Sequence, residues 1–106
     1  MALTVDRLEE FIVTLGSLVS SGVLDDVIAF GSDCKSISIT KTASIQEFYN
    51  YMQQINCSSI GIKLSRKLRY ERQIVLSHIV DFKLNNTSLV VTTYNGNYTD
   101  IKKYRF

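Results

Sequence analysis

The sequence predicts an α+β domain in which two helices pack on one face of an antiparallel sheet that ends in a C-terminal β-meander. Three observations lead there. Apolar residues recur at three- and four-residue steps in two stretches, near 5–19 and 45–55. Elsewhere they alternate or form short runs, and the last third of the chain divides into strand-length pieces separated by Asn-rich turns. The order helix, two strands, helix, then strands belongs to an α+β fold, because a parallel sheet would alternate strand with helix throughout.

The first helix is expected at about 4–20. Val5, Leu8, Phe11, Ile12, Leu15, Leu18 and Val19 share one face, with Glu9, Glu10 and Thr14 off it. Thr4 can accept from the first-turn amides, Asp6 and Glu9 suit the positive end of the helix dipole, and Gly22 can supply a left-handed stop. Val27–Phe30 and the alternating Ser36–Thr40 read as strands joined by a turn at Gly31-Ser32-Asp33. Asp25-Asp26 is expected in an exposed loop after the helix stop. Ser44-Ile45-Gln46-Glu47 is a capping box, and Ile45, Phe48, Tyr49, Met52 and Ile55 line the face of a second helix at about 45–55.

A period of two then links Ile60, Ile62, Leu64, Leu68 and Tyr70, with Arg66 interrupting it where a reversal or bulge could fall. Residues 74–84 read as one long strand and place His78 on it, followed by a two-residue turn at Asn85-Asn86. Ser88–Tyr94 is the next strand, Asn95-Gly96 signals a type I′ turn, and Tyr98–Phe106 returns to complete the meander. A chain of 106 residues at this hydrophobic content supports one core, so a single domain spanning 1–106 is expected.

Composition excludes several classes. Apolar residues make up 45% and the net charge is only +2, unlike a disordered chain. The longest apolar stretch, Leu8–Val23, is interrupted by Thr14, Gly16, Ser17, Ser20, Ser21 and Gly22, so no membrane partner is expected. Asp6, Glu9 and Glu10 stand where a secretory signal would carry bases, which points to the cytoplasm and to reduced Cys34 and Cys57. The Asn-x-Ser/Thr triplets at Asn56, Asn85, Asn86 and Asn97 are then chance products of an Asn- and Ser/Thr-rich chain.

Catalytic chemistry finds little support. Cys34, Cys57 and His78 are separated by 23 and 21 residues, which matches no tight ligand pairing, so neither a metal nor another cofactor is expected. Val27–Ser32 followed by Asp33 is similar to the apolar strand and Gly-Ser turn that open nucleotidyltransferase sites. Those sites need two further carboxylates on the next strand to hold metal ions, and Ser36–Thr40 has none. No Walker A, dinucleotide-binding or nucleophile-elbow motif is present, and an enzyme is not expected.

Charge is distributed unevenly. Residues 1–50 hold seven acids and three bases, a net −4, whereas residues 51–106 hold nine bases and three acids, a net +6. The bases cluster as Lys63, Arg66, Lys67, Arg69 and Arg72 around Tyr70, and again as Lys102, Lys103 and Arg105 around Tyr104. Such residues can make bidentate contacts with carboxylates of an acidic protein. They can also neutralise phosphates while Tyr70, Tyr98 or Tyr104 stacks on an unpaired base. A plainly solvated sheet face is the bland alternative, in which Lys also discourages edge aggregation.

A pI near 8.6 falls below that of a dedicated nucleic-acid domain, so a protein partner ranks first and nucleic acid second. The expected function is thus a small non-enzymatic regulator, inhibitor or adaptor that binds protein through its basic C-terminal sheet. Its lean towards Ile, Asn, Lys and Tyr is that of A/T-rich genomes, including those of phages and mobile elements. Homodimer formation is a further expectation, through Phe11, Phe48 and Met52 on the helices or by strand addition at Tyr98–Phe106.

Overall fold

A computed structural model describes residues 3–64 and 73–106. Helix α1 (Val5–Ser20) starts at Thr4, whose Oγ1 accepts the Arg7 N–H at 3.2 Å. It stops at Gly22, at φ +80°, where the Gly22 N–H donates to the Val19 carbonyl and the Val23 N–H to the Leu18 carbonyl. That pair of bonds satisfies the last-turn carbonyls in a Schellman motif. Helix α2 (Ile45–Gln54) starts at Ser44, whose hydroxyl accepts the Glu47 N–H at 3.1 Å. The Glu47 carboxylate accepts from the Ala43 N–H, one residue earlier than a capping box would have it. Asn56, at φ +52°, ends α2 as Gly22 ends α1, and the Cys57 N–H donates to the Met52 carbonyl at 2.9 Å.

The strands form two antiparallel sheets where the sequence suggested one. In the first, β1 (Leu24–Phe30), β2 (Ser36–Ser38), β3 (Ser59–Leu64) and β4 (Ile74–Val75) lie in the order β2-β1-β3-β4. In the second, β5 (Ile79–Leu84), β6 (Ser88–Tyr94) and β7 (Thr99–Arg105) form the meander in sequence order. Register aligns Ile37, Ala29, Ile60 and Ile74 across the first sheet, and Phe82 with Val91 in the second, on faces buried in one shared core. Helix α1 reaches both sheets. It packs on β1, and its Phe11 ring lies 4.9 Å from that of Phe82 on β5.

The division falls inside the expected 74–84 strand. A 3-10 turn at Leu76–His78 breaks it, and the Leu76 N–H turns back to the Ser58 carbonyl at 2.9 Å. His78 therefore sits on a turn. The strand expected over Ser36–Thr40 stops at Ser38, where a second 3-10 turn carries Ile39 into the core. Asp25 and Asp26 are part of β1, not a loop. Asp25 is the extra residue of a bulge facing β3, and Asp26 accepts the Ser38 hydroxyl across to β2 at 2.9 Å.

Both hairpin turns sit one residue later than expected. Asn85 and Asn95 act as caps before the turns. Asn85 Oδ1 accepts the Thr87 and Ser88 N–H groups, and Asn95 Oδ1 those of Asn97 and Tyr98. Gly96, at φ +98°, becomes the first central residue and Asn97 has no positive φ, so the turn is not the expected type I′.

Two glycines permit close approach. A Cβ on Gly16 would lie 2.5 Å from Ile45 Cδ1, so its absence lets α2 rest against α1. A Cβ on Gly31 would run into the Ile55 carbonyl oxygen, which also accepts the Ser32 N–H. Phe11, Phe48 and Met52 are buried in the chain's own core, so those three are not available for helix-to-helix dimer contacts. Among the described residues no helix is long and apolar enough to cross a membrane.

Candidate binding surface

The expected basic residues separate into distinct locations. Arg66, Lys67, Arg69, Tyr70 and Arg72 lie outside the described residues. Lys63 is half-buried on β3, with its ammonium 3.4 Å from the Asp25 carboxylate, so it belongs to the first sheet and has a counter-ion. Lys102, Lys103, Tyr104 and Arg105 all lie on β7, but the pleat divides them. Tyr104 is buried at 5% exposure opposite Leu89, so its ring fills the core and is not a stacking platform. Lys102 faces the same inner side, pairs with Asp100 at 3.2 Å, and lines a cleft of about 210 Å³ with His78, Thr93 and Tyr98.

Lys103 and Arg105 point to the opposite, solvent-facing side. Register places Lys83, Val90 and Lys103 in one row across the three strands, with Asp81, Thr92 and Ile101 in the next. Lys83 is a cation that sequence reasoning did not single out, and it completes the face. Its signal was partly present: the expected turns, each one residue early, already set residue 83 in a row with 103, but through 88 in place of 90. Asp81 is the acid in these rows, and it is engaged by Arg7 of α1 at 3.3 Å. The face therefore shows Lys83, Lys103 and Arg105 beside Val90 and an Ile101 that is 65% exposed.

Backbone geometry distinguishes the two edges of this sheet. The Asn85 N–H donates to the Ser88 carbonyl, which turns the backbone groups of residue 83 towards β6 and those of Phe82 away from it. Arg7 closes that outer side of β5, donating from Nη2 to the Phe82 carbonyl at 2.8 Å with its guanidinium carbon 3.8 Å from the Phe82 ring centre. The Glu10 hydrogen bond, and secondarily Asp81, raise the Arg7 pKa, so it stays charged at any working pH.

At the other edge, the Phe106 N–H donates to the Thr87 carbonyl and the Asn95 N–H to the Tyr98 carbonyl. Those two bonds set the phase of β7. Residues 98, 100, 102, 104 and 106 turn their backbone groups towards β6, while Thr99, Ile101, Lys103 and Arg105 turn theirs outwards. The Ile101 N–H is taken by Asp100 Oδ1 at 2.9 Å. No described strand lies beyond β7.

Both cysteines are free thiols. Cys34 is exposed on a turn, and Cys57 is half-buried, donating to the Ser59 carbonyl at 3.3 Å. Burial pushes the Cys57 thiol above its ordinary range, which keeps it protonated. Among the described residues no three His, Cys, Asp or Glu side chains gather where they could hold a metal ion.

No protein-family model matches the chain, and no curated protein or solved structure matches it.

Proposed function

We propose that this chain is a non-enzymatic protein-binding regulator, inhibitor or adaptor that acts in the cytoplasm and engages an acidic partner through the outer face of β5-β6-β7. The observation that supports this is the grouping of Lys83, Lys103 and Arg105 around Val90 and Ile101 on one solvated face whose nearby acid, Asp81, is already bonded to Arg7. Cations next to exposed apolar surface suit an interface in which carboxylates fix orientation and apolar contact supplies affinity. Residue usage fits an A/T-rich source such as a phage or mobile element.

The experiment is fluorescence anisotropy with labelled acidic peptide, single-stranded DNA, duplex DNA and RNA, at roughly 50 and 200 mM salt. The triple variant Lys83→Glu, Lys103→Glu, Arg105→Glu is run beside the parent chain. Peptide binding that the variant loses supports the proposal. Binding of nucleic acid alone, falling steeply with salt, would transfer the same face to phosphate recognition. Absence of binding to every probe would remove the face as a site.

A further inference from the structure

Building on the protein-binding reading, we propose that the partner docks as an added strand on the outer edge of β7, with acidic side chains at alternate positions. Four observations combine. β7 pairs with β6 over seven consecutive residues, from Tyr94↔Thr99 to Ser88↔Arg105, without a bulge, so its other side, beyond which no described strand lies, is straight and regular. Its phase turns the N–H and C=O groups of Lys103 and Arg105 outwards, along with the Ile101 carbonyl. Those same residues carry the solvent-facing side chains. Among the described residues the other edges are blunted: β2 has three residues, β4 has two, and Arg7 occupies the Phe82 carbonyl on β5.

Edge geometry specifies the partner's pattern. Asp100 already holds the Ile101 N–H, so the new ladder centres on residues 103 and 105. In an antiparallel strand, the residues opposite Arg105, Lys103 and Ile101 are two apart and project onto the cationic face. Reading from the partner's N-terminus, the fitting segment is acidic, any, acidic, any, apolar. Main-chain bonds provide the generic affinity and the two carboxylates the selectivity. A second copy of this chain is the poorer occupant. Antiparallel pairing of β7 with another β7 would place two sets of Lys83, Lys103 and Arg105 on one continuous face, and the acid each copy brings there, Asp81, is already engaged by Arg7.

The test uses a capped seven-residue peptide with glutamate at its second and fourth positions, valine at the sixth and threonine elsewhere. An isomer with adjacent glutamates is the control, because it sends them to opposite faces. Lys103→Pro removes an outward N–H and leaves the β6 ladder intact, since proline is tolerated where the missing donor faces solvent. A peptide N-methylated at both glutamates removes the matching donors without changing either protein or charge. The expected result is a loss of about tenfold or more for Lys103→Pro, for the N-methylated peptide and for the isomer, with Lys83→Glu costing about threefold or less. Binding unchanged by Lys103→Pro and by N-methylation, yet lost in the triple charge reversal, would overturn strand addition and leave face recognition standing. No binding by either glutamate peptide would overturn both. A concentration-dependent dimer that Lys103→Pro dissolves would assign the edge to a second copy and overturn the acidic partner.

Discussion

The four-stranded sheet is closed at its sides by strands of three and two residues, whereas the three-stranded sheet runs out to the seven-residue β7. Both sheets bury one face in the same core, so the contrast lies at their margins. Short margins, and the arginine over β5, limit unwanted pairing; a long straight margin invites it. Among the described residues, β7 is therefore the long regular edge, and the other three are short or partly occupied. A purely structural protein would have little reason for such asymmetry, and it directs attention to β7 ahead of the helices.

The strongest way to break the contrast is to show that the sheets do not share a core. Phe11→Ala removes the ring that links α1 to Phe82, and should cost about 3–5 kcal/mol. Thermal unfolding followed by far-UV circular dichroism and by tyrosine fluorescence should still show one transition. Two separate transitions would mean two independently stable sheets. Gly31→Ala confronts the Ile55 carbonyl with a methyl group at the tip of the four-stranded sheet and should cost about 1–3 kcal/mol by denaturant titration.

The contrast sharpens at single amides. Hydrogen exchange along β7 should alternate, slow at Asp100, Lys102 and Tyr104 and fast at Lys103 and Arg105, with Ile101 slowed by its Asp100 contact. Uniform protection along the strand would show the outer edge to be covered. The smallest effect concerns pH. Because the folded Cys57 pKa is raised, its contribution to stability is complete below the unfolded thiol's pKa and declines as pH rises towards the folded value. Stability should therefore fall slightly in alkaline buffer, and Cys57→Ala should abolish that slope. Alkylation of the native protein should also reach Cys34 well before Cys57.

What the sequence disclosed follows the range of each interaction. Thr4, Ser44 and Gly22 mark helix ends through bonds to residues three or four positions away, and those ends were legible. The break at Leu76–His78 was not. Leu76 packs against the core whether the strand continues or turns, so the apolar pattern runs through the point where the chain changes sheets. Asn95 could occupy a turn centre or cap the turn from outside, and only the bonds from Asn97 and Tyr98 select the cap. The basic face was half visible. Charge clustering marks Lys103 and Arg105 but gives alternation no direction, so it leaves the buried Tyr104 beside them as an exposed neighbour, and Lys83 joins them only once three strands are in register.

Arg7 carries one further consequence, for the order in which the protein can be completed. Its guanidinium, placed in the first turn of α1, finds the Phe82 carbonyl 75 positions later. During synthesis the amino-terminal helix, with Glu10 already beside Arg7, is finished long before Phe82 and Asp81 emerge. Until then its apolar stripe has only α2 and the first sheet to cover it, and Phe11 waits without Phe82. Closure of the core is thus timed by the arrival of the carboxy-terminal third of the chain, which makes an interrupted product with the meander missing a poor candidate for a compact protein.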